Sequence, residues 1–113
     1  MNNLINCLQK IEKLLKENKK PQAEVIRKVI ESKTTDRELF LSLLLGGDIW
    51  GGSGSVVDLY LNSKEEDIQL KNYIIELVKE MEINGIFYER AKEIAVALEK
   101  FILRSGVGVS AKE

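Results

Sequence analysis

Any chemistry in this 113-residue chain has to be done without histidine and with a single thiol, Cys7. Most zinc, haem and facial-triad sites are built from His and Cys, so neither a metal centre nor a bound cofactor is expected. Ser-His-Asp and Cys-His arrangements are excluded outright. Cys7 itself stands one helical turn from Leu4 and Ile11, where it reads as a small core or boundary residue. Acid–base work near neutrality would fall to Asp, Glu, Lys or Tyr with a displaced pKa. Glu76 with Glu80 and Glu89 with Glu93 lie four apart, which places each pair on one helix face in the two-carboxylate pattern of glycoside hydrolysis. Each pair has Lys or Arg beside it and the apolar stripes run elsewhere, so both are read as facing water, and the chain is read as a non-enzyme.

A second chemical candidate is the run Gly46 to Ser55, GGDIWGGSGS, with five of the chain's eight glycines. Backbone amides in such a run could cradle a phosphate at a helix start. The detail is against it. Gly47 to Gly52 has Walker spacing but is followed by Ser53 and Gly54 instead of Lys, and a dinucleotide fingerprint from Gly52 meets Val57 where its third Gly belongs. Asp48 would also repel the anion. The chain's one tryptophan, Trp50, sits between these glycines and has two compatible readings: a plug on the helical core, or an aromatic anchor in an interface.

The elements that must position these residues are helices. Leu4, Leu8, Ile11 and Leu15, widened by Ile5 and Leu14, form the apolar stripe of a first helix ending near Asn18, with Lys10, Lys13, Lys16 and Glu17 on its other side. Pro21 fits the first turn of a second helix that runs through Ala23, Val25, Ile26, Val29 and Ile30. Thr35-Asp36-Arg37-Glu38 has capping-box form and should open a third through Leu39, Phe40 and Leu43 to Leu45. Val56-Val57-Asp58-Leu59-Tyr60-Leu61 could be a short strand by propensity, but Ser55 with Asp58 resembles an N-cap, and a short helix over residues 56–61 is the preferred reading. Ser63-Lys64-Glu65-Glu66 is another capping box, opening a helix to about Ile83 that Asn84-Gly85 ends. A last helix carries Phe87, Ala91, Ile94, Ala95, Leu98, Phe101 and Ile102 up to Gly106. The expected fold is all-α, a single domain of five to six helices over residues 1–105 with one glycine-rich loop, followed by a frayed tail over 106–113.

The chain is 44% hydrophobic and 31% charged, enough apolar surface to fold alone. Net charge is −1, unevenly spread: residues 1–33 hold eight Lys/Arg against four Glu, and residues 34–113 hold nine against fourteen Asp/Glu. One cysteine suits a reducing compartment. The opening MNNLINCLQKIEKLLKEN has no sustained apolar run, and no stretch reaches the roughly 20 apolar residues of a membrane span. A cytoplasmic, membrane-free protein is expected. Residues 22–32 and 36–45 imitate a helix-turn-helix, which makes a small nucleic-acid-binding regulator the alternative reading. Its second helix, however, is mostly apolar and carries only Arg37 as a cation, whereas reading base edges needs polar side chains.

The run Gly46-Gly47-Asp48-Ile49-Trp50-Gly51-Gly52-Ser53-Gly54-Ser55-Val56-Val57-Asp58-Leu59-Tyr60-Leu61 resembles a segment of small helical bacterial proteins in which an apolar helix end, a glycine loop around an aromatic residue and a D-L-x-L helix follow one another. Some of these are immunity proteins encoded beside polymorphic or contact-dependent inhibition toxins. The resemblance covers about 20 residues and implies a binder that neutralises a toxin domain by direct contact. Residues Asp48 to Glu82 hold eight acids against three lysines, so a basic nuclease toxin domain is the expected partner. The residues expected to meet it are Asp48, Trp50, Asp58, Tyr60, Glu65, Glu66 and Asp67.

Overall fold

The structure, a computed structural model, describes residues 1–105; the tail expected over 106–113 lies outside them. The described residues form α1 (Asn2–Glu17), α2 (Ala23–Ser32), α3 (Arg37–Leu44), the single turn α4 (Gly47–Trp50), a 3-10 turn (Val56–Asp58), α5 (Lys64–Ile83) and α6 (Glu89–Ser105), with no strand among them. The all-α expectation holds.

The first helix is the hub. Leu4, Leu8, Ile11 and Leu15 of its stripe have no solvent-accessible surface. They do not pack against one neighbour only: α1 contacts both α2 and α5, and α6 then covers the far side of α5. Burial of one such side chain contributes about 1.5–3 kcal/mol, so this stripe is a principal block of the core beside the buried face of α5. The lysines expected on its other side are exposed.

Helix ends decide the rest. Asn18 caps α1, Lys19 follows with φ 58°, and two backbone bonds run back, from the amide of Lys19 to Lys16 O and from that of Lys20 to Leu15 O, both 2.9 Å. The same Schellman geometry closes α5: Gly85 has φ 78° and donates to Glu82 O at 3.0 Å, while the buried Ile86 donates to Met81 O at 2.8 Å. At both ends the cap asparagine returns its side-chain amide four residues back, Asn18 to Leu14 O at 2.9 Å and Asn84 to Glu80 O at 2.7 Å.

Four local expectations are corrected. Helix α2 begins at Ala23, and Pro21 lies in the turn before it, with its carbonyl accepting from the Glu24 amide. Asp36, not Thr35, caps α3: its carboxylate accepts from the amides of Glu38 and Leu39 at 3.0 and 3.2 Å, while the Thr35 hydroxyl turns back to Ser32 O. A charged acceptor binds free helix amides more strongly than a hydroxyl does. Phe87 precedes α6 and is 76% exposed, outside the apolar face assigned to it. Residues 56–61 are helical only to Asp58, because the amides of Leu61 and Asn62 bond instead to the side chains of Asp67 (3.1 Å) and Asn18 (2.8 Å).

Lys19 is the one described non-glycine residue at positive φ, a conformation that costs an L-residue about 1 kcal/mol. Lys19→Gly removes that cost against a smaller loss from added unfolded-state freedom, for a net gain of roughly 0.5 kcal/mol. A higher urea midpoint at unchanged m-value is the expected result.

Candidate functional site

The glycine run is a built structure. Gly46 precedes α4 and comes so near α3 that a Cβ there would lie 3.2 Å from Ser42 O. One turn later the indole Nε1 of Trp50 donates to Leu44 O at 2.7 Å, and the ring meets Tyr88 edge-on, centroids 6.5 Å apart at 77°. The Trp50 carbonyl accepts from Arg90 Nε of α6 at 2.7 Å. Trp50 has no accessible surface. It is therefore the core plug, and in this conformation its side chain is out of a partner's reach while it fixes the loop that carries the exposed Asp48.

After Trp50 the chain turns inside one residue. A Cβ at Gly51 would stand 2.4 Å from Gly47 O, so no other residue fits without displacing the turn. Gly54 has φ 88°, which a side chain would resist. The buried Ser55 hydroxyl donates back to Gly51 O at 2.7 Å, and Gln22 Nε2 donates to Gly54 O at 3.0 Å. The amides of Ile49, Trp50, Gly51 and Ser55 all donate to carbonyls within the run. An anion cradle would have to use the remaining amides at the start of α4, and the Asp48 carboxylate in that first turn opposes a bound anion there.

Beyond the run, the expected acids separate into two kinds. Asp48, Asp58 and Glu65 are exposed. Glu66 and Asp67 are spent on the fold. Glu66 accepts from Asn18 Nδ2 at 3.2 Å and from the Ser63 hydroxyl, while its amide donates to that same hydroxyl. Asp67 accepts from the Leu61 amide and pairs with Lys71 at 3.4 Å, where both side chains are nearly covered, 16% and 11% exposed. Two positions apart on a helix, Glu65 and Asp67 point about 200° from each other, so the acids of α5 do not make one docking face.

What the structure does assemble is an aromatic pair around a cation. Lys71 is 9% exposed, and its Nζ lies 5.7 Å from the centroid of Tyr60 and 5.1 Å from that of Phe101. Tyr60 is nevertheless 74% exposed and Phe101 47%. Asp58, the last residue of the 3-10 turn, stands two residues before Tyr60 and is exposed as well. Neither Lys71 nor Phe101 was singled out from sequence as a site residue. The signal was a lysine in the middle of the buried run Ile68, Leu70, Ile74, Ile75, which only a nearby acid or aromatic face can accommodate.

The carboxylate pairs stay out of enclosed space. Glu89 and Glu93 are exposed. Glu76 and Glu80 line an open groove of about 540 Å³ with Asn3, Asn6, Cys7, Gln9, Lys10 and Lys13, and Glu76 pairs with Lys10 at 3.7 Å with both side chains about half exposed, 46% and 49%. Cys7 forms the covered edge of that groove at 2% exposure, and burial first, the nearby Glu76 carboxylate second, push its thiol up to about 12. It is a neutral core thiol. Among the described residues, no group of three His, Cys, Asp or Glu could hold a metal ion, and no helix is long and apolar enough to cross a membrane. No protein-family model, no curated protein and no solved structure matches the chain.

Gly51→Ala should lower stability by about 2 kcal/mol or more through overlap with Gly47 O, whereas Gly52→Ala, with open space around it, should be neutral or slightly stabilising; circular dichroism in urea distinguishes them. Folding lifts the Cys7 thiol from 9.0 to about 12, so its protonated form favours the folded state. That contribution is complete below pH 9.0 and is lost as pH climbs to about 12, so wild-type stability should drop across this window more steeply than that of Cys7→Ala. Parallel curves would mean the thiol titrates alike in both states.

Proposed function

We propose that this chain is a non-enzymatic protein-binding module of the immunity class, which neutralises a toxin domain by occupying its surface. The observation that carries the reading is the Tyr60–Lys71–Phe101 stack. Tyrosine is a preferred residue at interface centres, and ordering a free aromatic side chain on binding costs affinity. Tyr60 shows three quarters of its surface to solvent, 74%, while Lys71 already holds one face of its ring. The reading also draws on what the polar groups are used for: the thiol is neutral, Glu76 meets Lys10, and the amides of Ile49, Trp50, Gly51 and Ser55 are bonded within the glycine run. Of the acids expected to meet the partner, Asp48, Asp58 and Glu65 are exposed, and a basic toxin surface would meet them at the rim, where charge acts on association rate more than on residence.

Affinity capture from the source organism's lysate, with wild type and a Tyr60→Ala/Phe101→Ala variant as baits, tests this. One protein should be retained by wild type, with affinity reduced by about 2 kcal/mol, or roughly thirtyfold, in the variant. That protein, expressed alone, should arrest growth, and co-expression of the wild-type chain should relieve the arrest. Asp58→Asn/Glu65→Gln should slow association and flatten its salt dependence. Capture of nuclease-sensitive nucleic acid in place of a protein, or a partner held equally by both baits, would overturn the proposal.

A further inference from the structure

The chain contains seven asparagines, and only Asn84 precedes a glycine. We propose that the Asn84–Gly85 bond is a self-modification site at the tip of the α5–α6 hairpin, a deamidation centre that the folded state holds shut. The reaction needs nothing but water. The Gly85 backbone nitrogen loses its proton to solvent and attacks Asn84 Cγ, a five-membered succinimide closes as the Cγ–Nδ2 bond breaks, and the side-chain nitrogen takes up a proton from solvent and leaves as ammonia. Water then opens the ring at one carbonyl or the other, giving Asp or isoaspartate at 84; no oxidant or reductant takes part. Glycine favours the step because no side chain shields the attacking nitrogen.

That same glycine is required by the fold. Gly85 occupies φ 78°, the left-handed position that closes the Schellman motif. The fold and the chemistry therefore demand one residue for opposite reasons. Three features keep the native state unreactive. The nucleophile is engaged, since Gly85 N–H donates to Glu82 O at 3.0 Å. The electrophile is engaged, since Asn84 Nδ2 donates to Glu80 O at 2.7 Å. With ψ 12° at Asn84, the Gly85 nitrogen is turned away from the side chain it must reach. Ring closure thus waits for the last turn of α5 to open, and Ile86, 7% exposed and donating to Met81 O, is the apolar latch on that opening.

Modification does not reverse when the turn closes again. A carboxylate at 84 loses the donor to Glu80 O and adds negative charge beside Glu80 and Glu82 at the negative end of the helix dipole. Isoaspartate adds a backbone methylene, so the Gly85 and Ile86 bonds cannot both re-form. The hairpin tip, which already exposes Ile83 at 75% and Phe87 at 76%, then loses the anchor between them.

The test is peptide mapping of the full chain aged in mildly alkaline buffer, scoring Asn84 for the mass gained when amide becomes carboxyl and separating Asp from isoaspartate. Wild type is compared with Ile86→Ala, each folded and in concentrated urea. In urea the two should age alike, with Asn84 the fastest of the seven asparagines. Folded wild type should be slower than its unfolded form by at least about tenfold, and folded Ile86→Ala should recover at least about tenfold of that, matching the opening energy that a large-to-small core change removes. Equal rates in folded and unfolded wild type would abolish the gate. A folded Ile86→Ala that is still folded by circular dichroism yet no faster than wild type would remove Ile86 and cap opening from the account.

Discussion

A helix that ends inside a core must hand its last carbonyls and the next segment's amides to something other than water, and here backbone bonds take the carbonyls of Leu15 and Lys16 while one side chain joins Leu14 O to the start of the next long helix. The Asn18 amide is 4% exposed and fully used: its nitrogen serves Leu14 O and Glu66 Oε2, and its oxygen takes the Asn62 amide. Leaving any of these groups buried without a partner costs about 1–3 kcal/mol. The contact joins residues 44 and 48 positions apart, so it ties the end of α1 to the start of α5. With α1 lying against both α2 and α5, that junction sets where the long helix begins and therefore where Tyr60 and Lys71 come to rest.

Around this junction the acids have divided duties. The first turn of α5 carries Glu65, Glu66 and Asp67, all favourable at the positive end of a helix dipole. Composition alone makes them look alike. Geometry separates them, since Glu66 completes the Asn18 network, Asp67 holds both the Leu61 amide and Lys71, and Glu65 faces solvent. A surface that looks strongly acidic by count is therefore narrower in fact, and the apolar and aromatic groups beside it gain weight in recognition.

The helices were legible because their apolar spacing and stop signals agree. Leu4, Leu8, Ile11 and Leu15 predict α1, and Asn84-Gly85 predicts the end of α5; both hold. Competition between short-range acceptors was less legible. Thr35 and Asp36 both suit an N-cap, and only the folded structure decides that the carboxylate takes the amides. The Val56–Leu61 segment depended on Asn18 and Asp67, residues far along the chain or in the next helix, which no local pattern reveals. Trp50 was poised between two readings because a lone aromatic in a glycine run has the same spacing whether it points in or out. The Lys71 stack needed the joint placement of a linker, α5 and α6, and sequence marked it only by a cation standing among isoleucines.

Trp50 is the chain's only tryptophan, and its indole is sealed under the glycine turn against the Leu44 carbonyl and the edge of Tyr88. The loop consequently carries its own optical label. Emission from this one chromophore reports the polarity of one place, so water reaching the seam between α3, α4 and α6 registers as a red shift before the remainder of the molecule has changed. A binding event that leaves the turn closed leaves that colour as it was.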